Sequence, residues 1–514
     1  MRVEAFLSRS VERFGQKEAL VSGERRLTFA ELDAQASRLA GGLAALGVRR
    51  GDRVVICLEN GVEAVVAVFA TLKAGAVFAV LNPTAKPPKL AYILRDSGAS
   101  VLVTDARKAA AAQPALQEIP FLGAVVIAGP VPPDWPLDAT RLISFDDLMC
   151  AEPDAGPSAS RAVGIDADLA ALVYTSGSTG QPKGVALTHV NIASAARSIT
   201  TYLENTPDDV ILNVLPLSFD YGLYQALMAV KVGARLVLER SFAYPHTVLE
   251  LIAREAVTGF PIVPTVSAML LQMDLAKYDL ASLRYVTSTG AVWPEAHLRQ
   301  LRSLWPHVRI YSMYGLTECK RVAYLPPGEL DRRPTSVGKA MPNVEAWIVD
   351  ENGRQVRDCV GELVVRGANV MQGYWGGPAE TDRALRPGPR PGDSLLFTGD
   401  LFRADGEGFL YFVGRRDDMI KTRGQRVSPR EVENTVYDLP AVAEAAVVGV
   451  PDPVLGQAVK VLVSLRPGTS LTEQDLLSHC ARQLEDFMVP QIVEIVPALP
   501  KTSSGKIDRK ALSA

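Results

Sequence analysis

The stretch Leu172-Val-Tyr-Thr-Ser-Gly-Ser-Thr-Gly-Gln-Pro-Lys-Gly184 joins an apolar segment to a helical one. The apolar run ends at Tyr174, and six Ser, Thr and Gly residues follow before Pro182, Lys183 and Gly184. Small residues let several backbone N–H groups approach one phosphate, and hydroxyl groups add further donors. A lysine adds a point charge. The stretch therefore predicts a phosphate-binding loop rather than a flexible linker.

This loop does not have the Walker pattern. A Walker P-loop requires a glycine, four residues and then Gly-Lys-Ser/Thr. Here Pro182 stands five residues after Gly177, and Gly184 follows Lys183. The spacing differs, and the hydroxyl that binds Mg²⁺ after the lysine is missing, so we expect a phosphate loop of another kind.

On the N-terminal side of the loop, strand and helix patterns alternate. Thr28-Phe-Ala-Glu31 is a capping box that opens an amphipathic helix to Leu46. Apolar periodicity then predicts strands at 53–58, 76–81 and 100–104 and helices at 62–73 and 89–96. Such alternation predicts βαβ units with a mostly parallel sheet. The same rhythm returns between residues 190 and 320, so two α/β halves should form a large N-terminal body.

On the C-terminal side the pattern changes twice. Short strands at 361–366 and 408–413, with a surface loop at 386–393, predict a small β subdomain. After Gly414, strands at 443–450 and 457–465 and a helix at 471–484 predict a compact α+β module. The fold class is therefore α/β, with an N-terminal domain at 1–416 and a C-terminal domain at 417–514.

Composition excludes several classes of protein. The 514 residues allow more than one core, and a net charge of −3 gives no basic field for nucleic acid. The longest apolar run, Ala64 to Leu72, is about half of a membrane span. Five scattered cysteines without a CxxC pair argue against a zinc site or a disulfide framework. With no signal peptide at the N-terminus, they predict a cytoplasmic protein.

The loop from Thr175 to Gly184 resembles the signature loop of the adenylate-forming superfamily. That superfamily includes acyl-CoA synthetases, adenylation domains of peptide synthetases, and luciferases. Further segments resemble its other motifs in the same order, and the similarity runs from about residue 20 to residue 510. The nearest resemblance is to stand-alone bacterial acyl-CoA ligases and to prolyl–carrier-protein ligases. The matching segments are Tyr314-Gly-Leu-Thr-Glu318, Ser336-Val-Gly-Lys339, Gly361-Glu-Leu363, Thr398-Gly-Asp400, Gly414-Arg-Arg-Asp-Asp-Met-Ile-Lys421 and Pro500-Lys-Thr-Ser-Ser-Gly-Lys506.

The resemblance implies an ATP-dependent, AMP-forming ligase. Such an enzyme converts a carboxylate and ATP into acyl-AMP and pyrophosphate, and then transfers the acyl group to a thiol. The implied catalytic residues are Lys506, Glu318, Thr175 and Lys421, with Lys506 bridging carboxylate and phosphate oxygens and Glu318 holding Mg²⁺. Tyr314 would stack on adenine, Thr317 would contact phosphate, and Asp400 with Arg415 would hold the ribose. The implied ATP-binding residues are Thr175, Ser176, Gly177, Ser178, Thr179, Gly180, Lys183, Tyr314, Gly315, Thr317, Asp400 and Arg415.

Each of these residues also has an ordinary interpretation. Lys506 alone could be a solvated charge near the chain end, and Glu318 could pair with Lys320 or Arg321. Asp400 could close a Gly-Asp turn. Only the ordered set of motifs favours the functional roles.

The resemblance also implies movement of the C-terminal domain. Asp417 would be the hinge about which this domain swings between the two half-reactions. One orientation would bring Lys506 to the carboxylate, and the other would present the loop from Lys421 to Gly424. Gly424 would let the backbone approach the channel for the incoming thiol.

The acyl pocket is expected at Asp220, Tyr221, Gly290, Ala291 and Met313. Asp220 has two interpretations that the sequence leaves open. A buried carboxylate requires a cationic partner, which the ammonium group of an amino-acid substrate would supply. Alternatively, Asp220 caps the helix that follows it. The substrate is accordingly a small-molecule carboxylic acid, of a kind that the sequence does not specify, or an amino acid.

The sequence also leaves the thiol open. No carrier domain is recognised after Lys506, so we expect the thiol to come from a separate molecule. It is coenzyme A, which we favour, or the phosphopantetheine arm of an acyl or peptidyl carrier protein. Two further alternatives are an oxygenase that uses acyl-AMP without a thiol and a non-catalytic binding protein.

Overall fold

The computed structural model describes residues 1–131, 141–150, 164–176, 182–357, 359–416, 418–422, 425–502 and 505–512. Strands and helices are numbered along the chain. The strands of these residues form four sheets, two of them large and mainly parallel. Two single turns of 3₁₀ helix lie at Leu275–Lys277 and Pro327–Glu329.

The first large sheet has eight strands in the order β20-β9-β8-β4-β3-β5-β6-β7. The strands from β8 to β7 are parallel to one another, and β9 and β20 are antiparallel additions at one edge. Its strands are β3 (Arg53–Cys57), β4 (Val77–Val80), β5 (Ala99–Asp105), β6 (Ala124–Ala128), β7 (Arg141–Ser144), β8 (Leu169–Ser176), β9 (Pro182–Thr188) and β20 (Gly373–Tyr374). The helices between them are α3 (Val62–Lys73), α4 (Pro87–Ser97), α5 (Ala106–Gln117) and α6 (Phe145–Cys150).

The second large sheet has nine strands in the order β16-β15-β14-β13-β12-β10-β11-β1-β2. Its strands are β1 (Glu18–Ser22), β2 (Arg25–Thr28), β10 (Val210–Asn213), β11 (Arg235–Leu238), β12 (Gly259–Ile262), β13 (Tyr285–Ser288), β14 (Arg309–Tyr314), β15 (Ala323–Tyr324) and β16 (Lys339–Ala340). The helices of this half are α1 (Ala5–Phe14), α2 (Phe29–Ala45), α7 (His189–Tyr202), α8 (Asp220–Val232), α9 (Pro245–Arg254), α10 (Pro264–Leu270) and α11 (Glu295–Leu304).

Two smaller sheets complete the described chain. An antiparallel sheet holds β17 (Val344–Val349), β18 (Gln355–Val356), β19 (Gly361–Gly367), β21 (Leu385–Pro387), β22 (Ser394–Ala404) and β23 (Leu410–Arg415), with α12 (Pro378–Ala384) beside it. The C-terminal sheet holds β24 (Ile420–Thr422), β25 (Gln425–Val427), β26 (Val442–Asp452), β27 (Gly456–Leu465) and β28 (Ile492–Ile495). Its helices are α13 (Pro429–Tyr437), α14 (Glu473–Gln483) and α15 (Arg509–Leu512).

The strand β3 shows why the strands of the large sheets have continuous apolar sequences. Val54 and Ile56 belong to one buried cluster, whereas Val55 and Cys57 belong to another on the opposite face. A parallel sheet with helices on both faces buries every strand residue, so alternation of polar and apolar residues is lost. No helix in the described ranges has the length and apolar character to cross a bilayer.

The structure confirms the predicted fold class, and each predicted element lies within two residues of its observed bounds. The predicted loop at 386–393 needs one correction. Arg386 and Pro387 pair with β22 as part of β21, because the hairpin turn begins only after them. The division of the chain at residues 416 and 417 stays a prediction.

The capping box of α2 offers a test of local stability. The side chain of Thr28 accepts a hydrogen bond from Glu31 N at 3.2 Å, and the Glu31 carboxylate accepts one from Thr28 N at 2.8 Å. We expect Thr28→Ala to lower the free energy of unfolding by about 1 kcal/mol, because both the cap and the positioning of Glu31 are lost. Denaturant unfolding of Thr28→Ser, which keeps the hydroxyl, is the control. If Thr28→Ala left the denaturant midpoint of unfolding unchanged, the capping role of Thr28 would be contradicted.

Candidate active site

The turn after β14 arranges the centre of the site. Val322 N donates to Tyr314 O at 3.0 Å, which closes the turn. A methyl group at Gly315 would overlap Lys320 O and lie 2.9 Å from Arg321 Cα, so only glycine fits there. Lys320 adopts the left-handed conformation with φ 65°. This close approach puts Glu318 on the partly open side of the turn and buries Lys320 and Arg321.

Asp400 lies beside this turn on β22. Tyr314 Oη donates to Asp400 Oδ2 at 2.5 Å, and Arg415 Nε donates to Oδ1 at 2.9 Å. Asp400 and Arg415 face each other across the β22–β23 pair. Burial raises the pKa of Asp400 even though the Arg415 guanidinium opposes that shift. A carboxylate can accept about four hydrogen bonds, so this one can still receive further hydroxyl groups.

Glu318 is half-buried and bound to an aromatic side chain. Tyr374 Oη donates to Glu318 Oε1 at 2.7 Å. Within the described part of the chain, Glu318 forms no ion pair with Lys320 or Arg321, the alternative that the sequence left open, and Lys320 contacts Asp220 instead. Among the described residues, no group of three or more His, Cys, Asp or Glu side chains could hold a metal ion. A single carboxylate is nevertheless a common protein contribution to Mg²⁺, whose other ligands are water and phosphate oxygens.

The phosphate loop is described only at its two ends. Gly177, Ser178, Thr179 and Gly180 and the side chain of Ser176 lie outside the described residues. At the loop ends, Thr175 and Lys183 are register partners in the antiparallel pair of β8 and β9. Lys183 Nζ lies 5.7 Å from the centroid of the Tyr374 ring and 3.7 Å from Glu380 Oε1. The same tyrosine thus connects the end of the loop with Glu318.

Lys506 enters the site from the C-terminal domain. Gly505 O, next to it, accepts a hydrogen bond from Thr265 Oγ1 of α10 at 3.1 Å. The lysine Nζ lies 5.0 Å from the centroid of the Phe219 ring, and Cε lies 3.0 Å from where a Cβ at Gly290 would stand. Gly290 has φ +87°, so glycine is favoured there for its backbone as well as for space. Burial lowers the pKa of Lys506, and the Asp220 carboxylate opposes that shift.

The remaining C-terminal residues are not gathered with Lys506. The side chain of Lys421 is exposed on β24, and its backbone N donates to Gln457 Oε1 at 2.7 Å. Asp417 and Gly424, assigned to the hinge and to the thiol channel, lie outside the described residues. Their roles stay predictions.

The residues assigned to the acyl pocket lie on facing elements. Tyr221 Oη and Thr287 Oγ1 are 2.5 Å apart, which joins α8 to β13. Met313 Sδ accepts a hydrogen bond from Tyr202 Oη at 3.0 Å. Gly290 lies against Lys506, whereas Ala291 is exposed. Of these residues, Gly290 lies directly against Lys506, and the assignment of the others to the acyl pocket stays a prediction.

Asp220 has neither of the simple environments considered for it. The helix α8 begins at Asp220, the cap position is Phe219, and no side chain caps this end, so the helix-cap interpretation is wrong. Lys320 Nζ donates to Asp220 O at 2.9 Å and lies 3.4 Å from Asp220 Oδ2. Burial lowers the pKa of Lys320 to about 7, although Asp220 opposes the shift. The protein itself therefore supplies a cationic partner for this carboxylate.

Sequence reasoning missed three residues of the site. Tyr374 lies in a two-residue strand with no distinguishing pattern, so its contact with Glu318 could not be foreseen. Lys320 and Arg321 were noticed only as partners for Glu318. Their position between Cys319 and the apolar residues from Val322 to Leu325 could have indicated burial.

Comparisons with known proteins agree over nearly the whole chain. The sequence profile described as "AMP-binding enzyme" matches residues 7–375, and "AMP-binding enzyme C-terminal domain" matches residues 431–506. A long-chain-fatty-acid–CoA ligase of Bacillus subtilis (strain 168) is 30% identical over 534 residues, covering 99% of this chain and 94% of the relative. A feruloyl-CoA synthase of Amycolatopsis sp is 34% identical over 496 residues, covering 95% of this chain and 94% of the relative. The crystal structure of the anthranilate CoA ligase AuaEII in complex with anthranoyl-AMP superposes with a TM-score of 0.91 at 29% identity, covering 100% of this chain and 96% of that one.

The bond between Tyr314 and Asp400 can be tested directly. We expect Tyr314→Phe to raise the KM for ATP on the order of tenfold, because a hydrogen bond to a charged group that orients Asp400 is lost. Tyr411→Phe is a matched control, since Tyr411 Oη donates to Asp405 Oδ2 at 3.0 Å on the neighbouring strand. If Tyr314→Phe and Tyr411→Phe had equal KM values for ATP, the assignment of Asp400 to the nucleotide would be contradicted.

Proposed function

This chain belongs to the family of AMP-binding enzymes, and on that premise we propose that it activates a carboxylic acid as acyl-AMP and transfers the acyl group to coenzyme A. It is an AMP-forming acid–thiol ligase, like the CoA ligases to which it is similar. The observation that carries the adenylation step is the position of Lys506 against Gly290 and the Phe219 ring.

The chemistry of the first step explains why a cation is required at this position. A carboxylate oxygen attacks the α-phosphorus of ATP, a new P–O bond forms, and the bond to pyrophosphate breaks. Two anions must approach each other, so a positive charge between them lowers the barrier. Lys506 supplies this charge. Its half-buried position strengthens the interaction, because fewer water molecules screen it.

The nucleotide is held by residues of the N-terminal body. Asp400 accepts the ribose hydroxyls while Tyr314 and Arg415 keep its carboxylate in place. Glu318, oriented by Tyr374, offers a hard oxygen ligand that fits Mg²⁺. The bound ion would neutralise charge on the phosphates. Thr175, Thr317 and Lys183 are proposed phosphate contacts, and the loop between Thr175 and Lys183 would supply backbone donors.

The second step requires the C-terminal domain to turn away. In the present arrangement Lys506 fills the approach to Gly290, so no thiol can reach the acyl-AMP beside it. We infer a rotation about Asp417 that withdraws Lys506 and brings Lys421 and the loop to Gly424 towards the acyl-AMP. The division into 1–416 and 417–514 follows from this movement. Alternation of this kind also shields acyl-AMP from water.

A crevice in the N-terminal body supports coenzyme A as the thiol. In the order β4-β3-β5, the chain passes from β3 to β4 on one side and then to β5 on the other. Ligands bind beyond the carboxyl ends of the strands at such a switch point. A cavity of about 1000 Å³ lies there, lined by residues after β3, β4, β5, β6 and β11.

Unpaired basic side chains in this crevice are available to an anion. The helices α3, α4 and α5 all begin at its wall, and helix N-termini attract negative charge. Arg25 pairs with Glu63, and Arg240 pairs with Glu59 at 3.4 Å. Lys86 and Arg107 are exposed and have no ion-pair partner within the described chain. They are proposed to receive the phosphates of the nucleotide part of coenzyme A.

Separate assays of the two half-reactions test Lys506. We expect Lys506→Ala to reduce ATP–pyrophosphate exchange at least about 100-fold, because the charge between the two anions is lost. Thioester formation from supplied acyl-AMP should be largely retained. Lys501→Ala is the control, since Lys501 is exposed on the same loop and pairs with Glu444 at 3.0 Å. Equal loss of both half-reactions would contradict the proposed division of labour.

Kinetics with coenzyme A test the crevice. We expect the double variant Lys86→Ala/Arg107→Ala to raise the KM for coenzyme A about tenfold and to leave the KM for ATP unchanged, because two phosphate contacts are lost. Turnover with pantetheine, which lacks the nucleotide, should not change. Lys89→Ala, exposed in the same helix but outside the crevice, is the control. Efficient loading of a carrier protein with poor use of free coenzyme A would favour the carrier-protein alternative.

A further inference from the structure

Three charged side chains are buried together behind the site of Lys506. Lys320 is 4% exposed, Arg321 is 1% exposed and Asp220 is 9% exposed. Two of them are basic and one is acidic. Asp220 connects them to the catalytic lysine, since it contacts Lys320 and directly follows Phe219, whose ring centroid lies 5.0 Å from Lys506 Nζ.

The carboxylate does not satisfy both cations. Asp220 takes the Lys320 ammonium, with contacts at 2.9 and 3.4 Å. Arg321 Nε and Nη1 are buried and have no hydrogen-bond partner among the described residues. An arginine side chain keeps its charge, and an unpaired buried charge is strongly destabilising. Arg321 is therefore a buried cation with two nitrogens that could still bind an anion.

The position of Arg321 connects it to the acyl pocket. Its guanidinium carbon lies 5.3 Å from the centroid of the Tyr221 ring, and Lys320 Nζ lies 5.3 Å from the same centroid. Tyr221 in turn contacts Thr287 of β13. The hydroxyls of the next two residues, Ser288 and Thr289, are also buried without a hydrogen-bond partner in the described chain. The chain then reaches Gly290, which lies against Lys506.

We propose that the acid activated by this enzyme carries a second carboxylate, which Arg321 binds while the reacting carboxylate lies at Lys506. This inference rests on the proposed function and names its substrate class. The second carboxylate pairs with the two unpaired guanidinium nitrogens. An Arg–carboxylate pair is among the strongest polar contacts in a protein.

The cluster is poorly suited to the other two kinds of acid. An amino acid would bring an ammonium group to Asp220, where the Lys320 ammonium already lies. A fatty or simple aromatic acid would leave the Arg321 guanidinium buried without an anion. Neither an amino acid nor a fatty or simple aromatic acid would bring a second negative charge to Arg321.

ATP–pyrophosphate exchange by the full chain tests this substrate class. Dicarboxylic acids from malonate to sebacate are compared with the monocarboxylic acids of the same chain length, and with alanine and proline. We expect the best dicarboxylic acid to exceed its matched monocarboxylic acid at least tenfold in kcat/KM. Arg321→Met should abolish or reverse that preference, whereas Arg321→Lys should keep part of it.

Thermal unfolding separates a binding role from a structural one. Two nitrogens of the Arg321 guanidinium are buried without a hydrogen-bond partner among the described residues, so Arg321→Met should leave the melting temperature unchanged or raise it. The matched control is Arg333→Met. Arg333 is also buried but pairs with Glu329, Asp405 and Glu407, so its loss should lower the melting temperature.

Each outcome decides between specific alternatives. If no acid supports exchange, the proposed function fails and this inference fails with it. If a monocarboxylic acid or an amino acid is preferred, the proposed function stands and the inference is overturned. An Arg321→Met protein that unfolds at a lower temperature, or an Arg321→Lys protein that keeps no preference, overturns the role of Arg321.

Discussion

The site depends on the close contact between Gly315 and Lys320 O. This contact folds the turn after β14 so tightly that neighbouring charged residues separate to two sides. Glu318 lies on the side of Tyr374 and the ends of the phosphate loop, while Lys320 and Arg321 lie in the core beside α8. A side chain at position 315 would push the two halves of the turn apart. One backbone contact thus separates the proposed nucleotide side of the site from its proposed acid side.

The two regions are then completed by different parts of the fold. The nucleotide side uses β22 and β23, whose register places Asp400 opposite Arg415. The acid side uses the ends of β13 and β14 and the start of α8, elements of the second large sheet. Lys506 comes from the C-terminal domain and lies where these regions meet, held by the bond between Thr265 and Gly505 O. The proposed adenylation step brings the carboxylate and the α-phosphate together at this junction.

The sequence predicted the fold well because its signals are local. Apolar runs, the Thr28 capping box and turn-forming glycines depend on neighbouring residues, so they located the elements to within two residues. The motif residues were predicted by resemblance, and Tyr314, Asp400 and Arg415 are indeed adjacent. Tyr374 and the Lys320–Asp220 pair were missed because they join residues 56 and 100 positions apart. No periodicity in the sequence encodes such contacts.

The same limitation explains why Asp220 could not be understood from its sequence neighbours. A buried carboxylate before a helix suggests either a cap or a partner for a ligand cation, and both interpretations assume that the protein provides no cation of its own. Once Lys320 is placed beside it, the unpaired charge of the region changes sign, because Arg321 is left over. The unmet demand is then for an anion rather than for an ammonium group. The proposed substrate class thus rests on three buried charged groups together, and not on Asp220 alone.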